Sequence, residues 1–272
     1  MAEIKETDKV VIIDESTTKT KFYTKKTLYP AGEKNLMKKS AKTYRKNFLA
    51  VLGLNVESTL FVVKNLDEFE FAKALFRIKR FYADSDEDKK VLDKLITNCT
   101  LSNKEITTKF EKREDNPEFI EKIGRSLKNN VKDKSMVLAR KIGKHCKRES
   151  TENKKIREEI KKNHFFELID EYGIEEQFKD DRMVLMLDNA PSHTSTFVLE
   201  IAEKLNICLT PLPKYAPWLN CVEKVWDIIK YQIKLSIIRK SSELVNLVFK
   251  TFNKKCKSGF FNRTTSQTSE KF

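Results

Sequence analysis

The sequence predicts an α/β fold: a mixed sheet flanked by helices, with a long helical insertion. Three observations predict it. Strand-like runs crowd the sequence up to Val63. From residue 84 to 180 no clear strand pattern exists, and Lys- and Glu-rich helical runs take its place. From Met183 onward the pattern alternates strand, helix, strand, helix. Strand signals at both ends of a helical stretch imply one sheet built from distant segments.

Taken in order, Val10-Val11-Ile12-Ile13 is a continuous β-branched run ending in Asp14-Glu15-Ser16, as expected of a strand buried on both faces. Residues 20–24 offer a second short strand, and Tyr29-Pro30-Ala31-Gly32 reads as a turn. Residues 47–56 and 59–63 read as two further strands around a turn at Asn55–Ser58. Residues 67–81 place Phe71, Leu75 and Ile78 on one helical face. Helical runs follow at 118–128, 133–145 and 152–172. A strand at 183–187 then ends in Asp188. A helix is expected over about 194–205, a short strand at 207–210, a proline-punctuated loop at 211–219, and helices over about 220–239 and 242–254. The domain reading is therefore a sheet-forming domain from 1–81 and 166–256, a helical insertion at 82–165 and a polar tail at 257–272. In the insertion, Ile120, Ile123, Leu127, Val131, Leu138 and Ile142 recur at near-helical spacing, as in a packed subdomain rather than a solvated linker.

With 272 residues and 39% hydrophobic content, the chain can bury a core without disulfide staples. No apolar run reaches the roughly 18 residues of a membrane span. The opening MAEIKETDKV lacks the apolar stretch of a secretory signal, so an intracellular location, with the genome, is expected. The formal charge of +14 is concentrated in two blocks. Residues 19–48 carry a net +9 and residues 224–272 a net +8, leaving the remainder at −3. Such concentration favours a polyanionic partner over a uniformly solvated basic face. Cysteines stand at 99, 146, 208, 221 and 256 with no CxxC pair, which reads as free thiols. His145-Cys146 is an adjacent pair of zinc-type ligands without a second close pair to complete a site.

Asp14 and Asp188 each follow a buried strand, where sites gather in open α/β sheets. Glu223 falls in the first turn of a helix behind the rigid proline loop. Three converging carboxylates repel one another unless a cation joins them. Mg²⁺ takes a few carboxylates and keeps waters and phosphate oxygens. Two such ions roughly 3.5–4 Å apart suit phosphoryl transfer. Read singly, each residue also has a structural explanation: an Asx turn for Asp188, a helix-dipole partner for Glu223.

The surroundings add a resemblance. Leu187-Asp188-Asn189-Ala190-Pro191-Ser192-His193 resembles the second catalytic motif of DDE transposases of the mariner-like and insertion-sequence type. Pro213-Lys214-Tyr215-Ala216-Pro217-Trp218-Leu219-Asn220-Cys221-Val222-Glu223 resembles their third, with Ala216 in place of the usual Ser and Cys221 in place of the usual Pro. Thirty-four residues separate Asp188 from Glu223, the spacing of that superfamily. Ile13-Asp14-Glu15-Ser16 is similar to the first motif. The gap from Asp14 to Asp188, 174 positions, exceeds the family's usual one, and the helical region supplies the surplus. The family normally places a helix-turn-helix region ahead of the first Asp. Here only Met1 to Ile13 precede it, as in a catalytic domain without its site-reading half.

The resemblance implies an RNase H-like fold and DNA cleavage and strand transfer at mobile-element ends. It implies Asp14, Asp188 and Glu223 as ligands of two Mg²⁺ or Mn²⁺ ions. Glu15 rivals Asp14, since neighbouring strand side chains point to opposite faces. Asn189, His193 and Asn220 are expected around the metals or substrate phosphate. Ser192 serves equally as an N-cap, and Tyr215 and Trp218 either contact DNA or pack on the core. Lys34, Lys38, Lys39, Lys42, Arg45 and Lys46 are expected to bind DNA phosphates. The expected partners are DNA, a second copy of the chain and a separate helix-turn-helix protein, with no membrane. Two other readings stay open: a stand-alone metal-dependent nuclease, and a non-catalytic DNA-binding remnant of a truncated transposase.

Overall fold

The computed structural model describes residues 4–20, 43–111, 151–213, 217–236 and 238–257. The chain forms two compact units, Met1–Tyr82 with Glu175–Phe272, and Ala83–Ile174.

The first unit is built on five strands: β1 (Lys9–Lys19), β2 (Arg45–Gly53), β3 (Thr59–Val63), β4 (Met183–Leu187) and β5 (Ile207–Pro211). Their order across the sheet is β3-β2-β1-β4-β5. The first three pair antiparallel; β1 with β4, and β4 with β5, run parallel. This mixed sheet, with helices on its faces, is the RNase H-like arrangement.

Val10 to Ile13 are buried, as a continuous β-branched run in a central strand predicts. The strand does not end at Asp14, however. β2 stays paired with it as far as Lys19↔Arg45, and Ser16 and Thr18 turn inward alternately with exposed Lys19. The pairing to β4 stops much earlier, at Ile12↔Met186. Asp14 is thus mid-strand towards β2, yet just past the end of the parallel pair. The strand expected over 47–56 ends at Gly53, where the chain turns so tightly that a Cβ would meet the Val56 carbonyl oxygen at 1.9 Å. Of the short strand expected at 20–24, Thr20 is not in a strand, and 21–24 lie outside the described residues.

One face of the sheet packs on α7 (Cys221–Leu235) and α8 (Ser241–Lys257). Ile12, Phe48, Ala50 and Leu52 meet Val222, Val225, Trp226, Ile229, Val248 and Phe252 there, with the Phe48 and Trp226 rings 6.5 Å apart. The alternate residues Val11, Ile13, Leu49 and Val51 are buried too, so both faces are covered. α1 (Glu68–Tyr82) and α6 (Thr196–Lys204) pack together, Phe69 against Phe197 at 5.4 Å, and α1 buries the expected Phe71, Leu75 and Ile78. The turn from α6 into β5 uses Asn206 at φ 54°, a left-handed conformation that Asn tolerates. Its amide donates to the carbonyls of Phe178 and Lys179 at 3.1 and 2.7 Å.

An ionic cluster ties the start of β4 to β1 and α1. Lys79, fully buried on α1, lies 3.2 Å from the Asp181 carboxylate, and Lys9 lies 3.0 Å from the same group. Lys79 also sits 5.0 Å from the centre of the Phe178 ring. Arg182 meets Asp8 at 2.8 Å.

The second unit is helical among its described residues: α2 (Asp86–Asn98), α3 (Asn103–Glu111) and α4 (Thr151–Glu171). The short α5 (Ile174–Gln177) follows where the chain passes back to the first unit. Ser85 caps α2 by accepting from the Asp88 amide. Ser102 and Glu105 form a reciprocal capping box at α3. α4 packs on α2 and α3, burying Leu92, Leu95, Ile106, Ile160, Phe165 and Ile169. The expected helices at 118–128 and 133–145, and His145-Cys146, lie outside the described residues. Among the described residues Cys99, Cys208, Cys221 and Cys256 form no disulfide. Among the described residues no helix is long and apolar enough to cross a membrane.

Candidate active site

The carboxylates gather at the end of the parallel pair. Continuing the Ile12↔Met186 register by two residues sets Asp14 beside Asp188. Strand alternation puts Asp14 on the face of Ile12, which is the face covered by α7. That helix carries Glu223 in its first turn, at the edge of the stripe formed by Val222, Val225, Trp226 and Ile229. The three acids share one field. The Asp14 carboxyl is pushed up to about 7, first by burial and then by the negative charges of Asp188 and Glu223. Among the described residues, no three His, Cys, Asp or Glu side chains form a group that could hold a metal ion. The acids therefore interact electrostatically without a closed ligand cage.

His193 is buried behind Asp188. Its Nδ1 donates to Asp188 Oδ1 at 2.7 Å, and its Nε2 lies 3.6 Å from Glu15 Oε1. The ring lies against Phe71, with centroids 4.2 Å apart. Burial works to lower the His193 pKa, but the bond to Asp188 and the nearby Glu15 carboxylate outweigh it and carry it to about 9. The imidazolium bond in turn holds the Asp188 carboxyl below the usual carboxylate range. Asp188 Oδ1 also accepts from the Ala190 amide at 3.0 Å, which fixes the side chain in an Asx turn. So the turn explanation for Asp188 holds in the structure, and it orients the same carboxylate that meets Asp14. Asp14 and Glu15 do take opposite faces, but each meets a different part of the cluster. The Glu15–His193 contact is the feature that sequence reasoning missed. It joins β1 to the turn after β4, segments far apart in the chain, and only the even–odd alternation of β1 hints at it.

The other expected neighbours have local tasks. Asn189 donates to the Leu212 carbonyl at 2.6 Å, tying the loop after β4 to the end of β5. Asn220 is the N-cap of α7: its buried Oδ1 accepts from the Val222 amide at 3.2 Å. Replacing Asn220 by Ala removes that cap and should lower unfolding stability by about 1 kcal/mol, read from the shift in denaturant midpoint. Ser192 is not the cap of α6; Ser195 is, accepting from Val198. The turn in which His193 and Thr194 both bond to the Ala190 carbonyl delays the helix. Trp218, in a 3₁₀ turn two residues before the cap, is 72% exposed, so it does not pack on the core. Tyr215 lies outside the described residues.

Of the expected DNA contacts, Lys34, Lys38, Lys39 and Lys42 lie outside the described residues. Arg45 and Lys46 open β2; Arg45 is exposed and Lys46 half-buried.

The model of the DDE superfamily endonuclease family matches residues 107–245, half of the chain, a range that includes Asp188 and Glu223. The chain belongs to the DDE superfamily of endonucleases. Among solved structures it is similar to a chain of the pre-cleavage Mos1 transpososome, at 10% identity and a TM-score of 0.41, over 92% of this chain. The chain spans about half the length of that one, 54%. No curated protein matches.

Proposed function

We propose that the chain is a transposase catalytic domain that cuts and rejoins DNA at mobile-element ends, in the compartment holding the genome. The single observation that carries this is the meeting of Asp14, Asp188 and Glu223 in one electrostatic cluster at the sheet edge. Family membership supports the nuclease class.

The donor chemistry of Asp14, Asp188 and Glu223 suits divalent cations, two Mg²⁺ or Mn²⁺, although among the described residues the side chains form no closed ligand group. It offers oxygen donors only, and burial, then the charges of Asp188 and Glu223, push the Asp14 carboxyl up to about 7. Asp14, Asp188 and Glu223 would hold the ions. When bound, they supply charge that activates an attacking oxygen and stabilises the leaving one. The chain's own residues do the positioning. β1 and the turn after β4 present two carboxylates side by side, and the Asn220 cap sets the pitch of the third. His193, held by Glu15, fixes Asp188 Oδ1 and offsets part of the negative charge. Water first attacks a phosphodiester and releases a 3′-hydroxyl; that hydroxyl then attacks target DNA. Neither displacement needs a covalent enzyme intermediate. Residues 1–81 and 166–256 carry this chemistry, and the helical insertion serves subunit contacts or covers bound DNA. A second copy of the chain and a separate helix-turn-helix protein complete the assembly.

A divalent-metal titration with nicked and branched DNA tests this. Metal-dependent cuts followed by joined products are expected. Cuts without joining identify a plain nuclease, and binding without cuts a non-catalytic remnant.

Trp218 supplies a binding signal. It is one of two tryptophans, and the other, Trp226, is buried. DNA should quench its emission by base stacking, and Trp218→Ala should weaken single-strand binding by about 1–3 kcal/mol. Unquenched emission at saturating DNA would remove Trp218 from the interface.

A further inference from the structure

A second charged feature lies along the same two elements as the carboxylates. A cavity of about 360 Å³ is lined by Lys19, Arg45, Lys230 and Lys234. Lys19 and Arg45 are cross-strand partners at the end of the β1–β2 ladder, and Lys230 and Lys234 stand one turn apart on α7. Thr17, Thr18 and Ile233 complete the wall, but the two hydroxyls donate to Asn47 Oδ1 and the Lys46 carbonyl. All four cations are exposed, and among the described residues no acidic side chain lines the cavity. Four like charges around one cavity repel one another, and an anion relieves that repulsion.

The placement says which anion. β1 and α7 pack against each other, and both lead from the carboxylates to this cavity. Lys230 and Lys234 are seven and eleven residues beyond Glu223, about 10 and 17 Å along a helix. Lys19 is five residues beyond Asp14, about 17 Å along a strand. At about 3.4 Å of rise per nucleotide of one strand, these distances correspond to about three to five nucleotides. The geometry points to a phosphate-docking cavity: Lys19, Arg45, Lys230 and Lys234 hold a backbone phosphate of the DNA strand being cut, three to five nucleotides from the reacting phosphodiester. The inference rests on the reading of the chain as a DNA-cutting enzyme. It adds a fixed second point of attachment, which sets the position and direction of the strand across the carboxylates.

The test uses anisotropy of labelled duplex DNA over a series of salt concentrations, with the full chain and K230A/K234A. Losing one or two phosphate contacts should reduce the slope of log K against log salt by about 0.9 to 1.8. The matched charge change K250A/K254A, on exposed positions of α8, should leave the slope unchanged. A single neutral methylphosphonate three to five nucleotides from the cut should weaken binding by the full chain but not by K230A/K234A. An equal slope for the full chain and K230A/K234A overturns the inference, and so does an equal loss in K250A/K254A. Equal sensitivity of both proteins to the methylphosphonate also overturns it. Failure of the parent reading looks different: the unaltered chain then does not cut DNA, whether or not it binds it.

Discussion

Asp188→Asn is expected to abolish metal-dependent DNA cleavage while leaving the fold intact. The substitution keeps the side chain's size and an oxygen that can still accept from Ala190 and His193. What it removes is the negative charge beside Asp14 and Glu223. Stabilising the charge of a phosphoryl-transfer transition state is worth several kcal/mol. At about 1.36 kcal/mol per decade, that is on the order of a thousandfold or more in rate. Cleavage rates on nicked DNA with Mg²⁺ decide it, with an unfolding curve as the control for fold. An unchanged rate would refute the assignment of Asp188. His193→Gln makes a useful partner experiment. It removes the imidazolium but no carboxylate, so a smaller loss, about 10–100-fold, is expected for a group that only positions a ligand.

The largest expected effect on stability lies away from the site. Asp181→Ala removes a carboxylate 3.2 Å from the fully buried Lys79 ammonium, which keeps its bond to the residue-181 carbonyl. Breaking a buried pair by removing one partner costs about 3–5 kcal/mol. That is a large share of the roughly 5–15 kcal/mol of a typical native state. The double variant Asp181→Ala with Lys79→Met removes the buried charge as well and keeps the apolar stem, so it should recover much of the loss. Lys109→Ala breaks the exposed pair with Glu167, 2.9 Å apart in the second unit, and should cost less than about 1 kcal/mol. Urea denaturation midpoints rank the three. Equal midpoints for Asp181→Ala and Lys109→Ala would mean that burial contributes nothing here.

Legibility in the sequence followed locality. β1 and β4 were readable because a continuous apolar β-branched run carries its own signal. α1 was readable from apolar periodicity, and α7 from the proline-punctuated loop that leads into it. Asp188 and Glu223 stand in short motifs beside the elements that place them. The length of β1 was not readable. Its far end, from Glu15 to Lys19, is strand because the distant β2 pairs with it, and no window of sequence holds that information. The Asp188–Asn189 turn was foreseen, but the Glu15–His193 contact needed the three-dimensional arrangement. The tasks of Asn189 and Asn220 went to backbone groups because exposed loop and helix ends leave backbone polar atoms that a nearby amide can satisfy. The start of α6 moved from Ser192 to Ser195 for the same kind of reason: backbone bonds to Ala190 close a turn first.

The parallel pairing of β1 with β4 also fixes when the site can come into being during protein synthesis. Val10 waits for Val184, a partner made long after it. At about 5–20 residues per second on the ribosome, that wait is on the order of ten to thirty seconds. Until then β1 can pair with β2 but not with β4, and Asp14 lacks Asp188 beside it. Glu223 arrives later still. Throughout that interval the three carboxylates stand apart, and the candidate site assembles only once β4 and α7 have both left the ribosome.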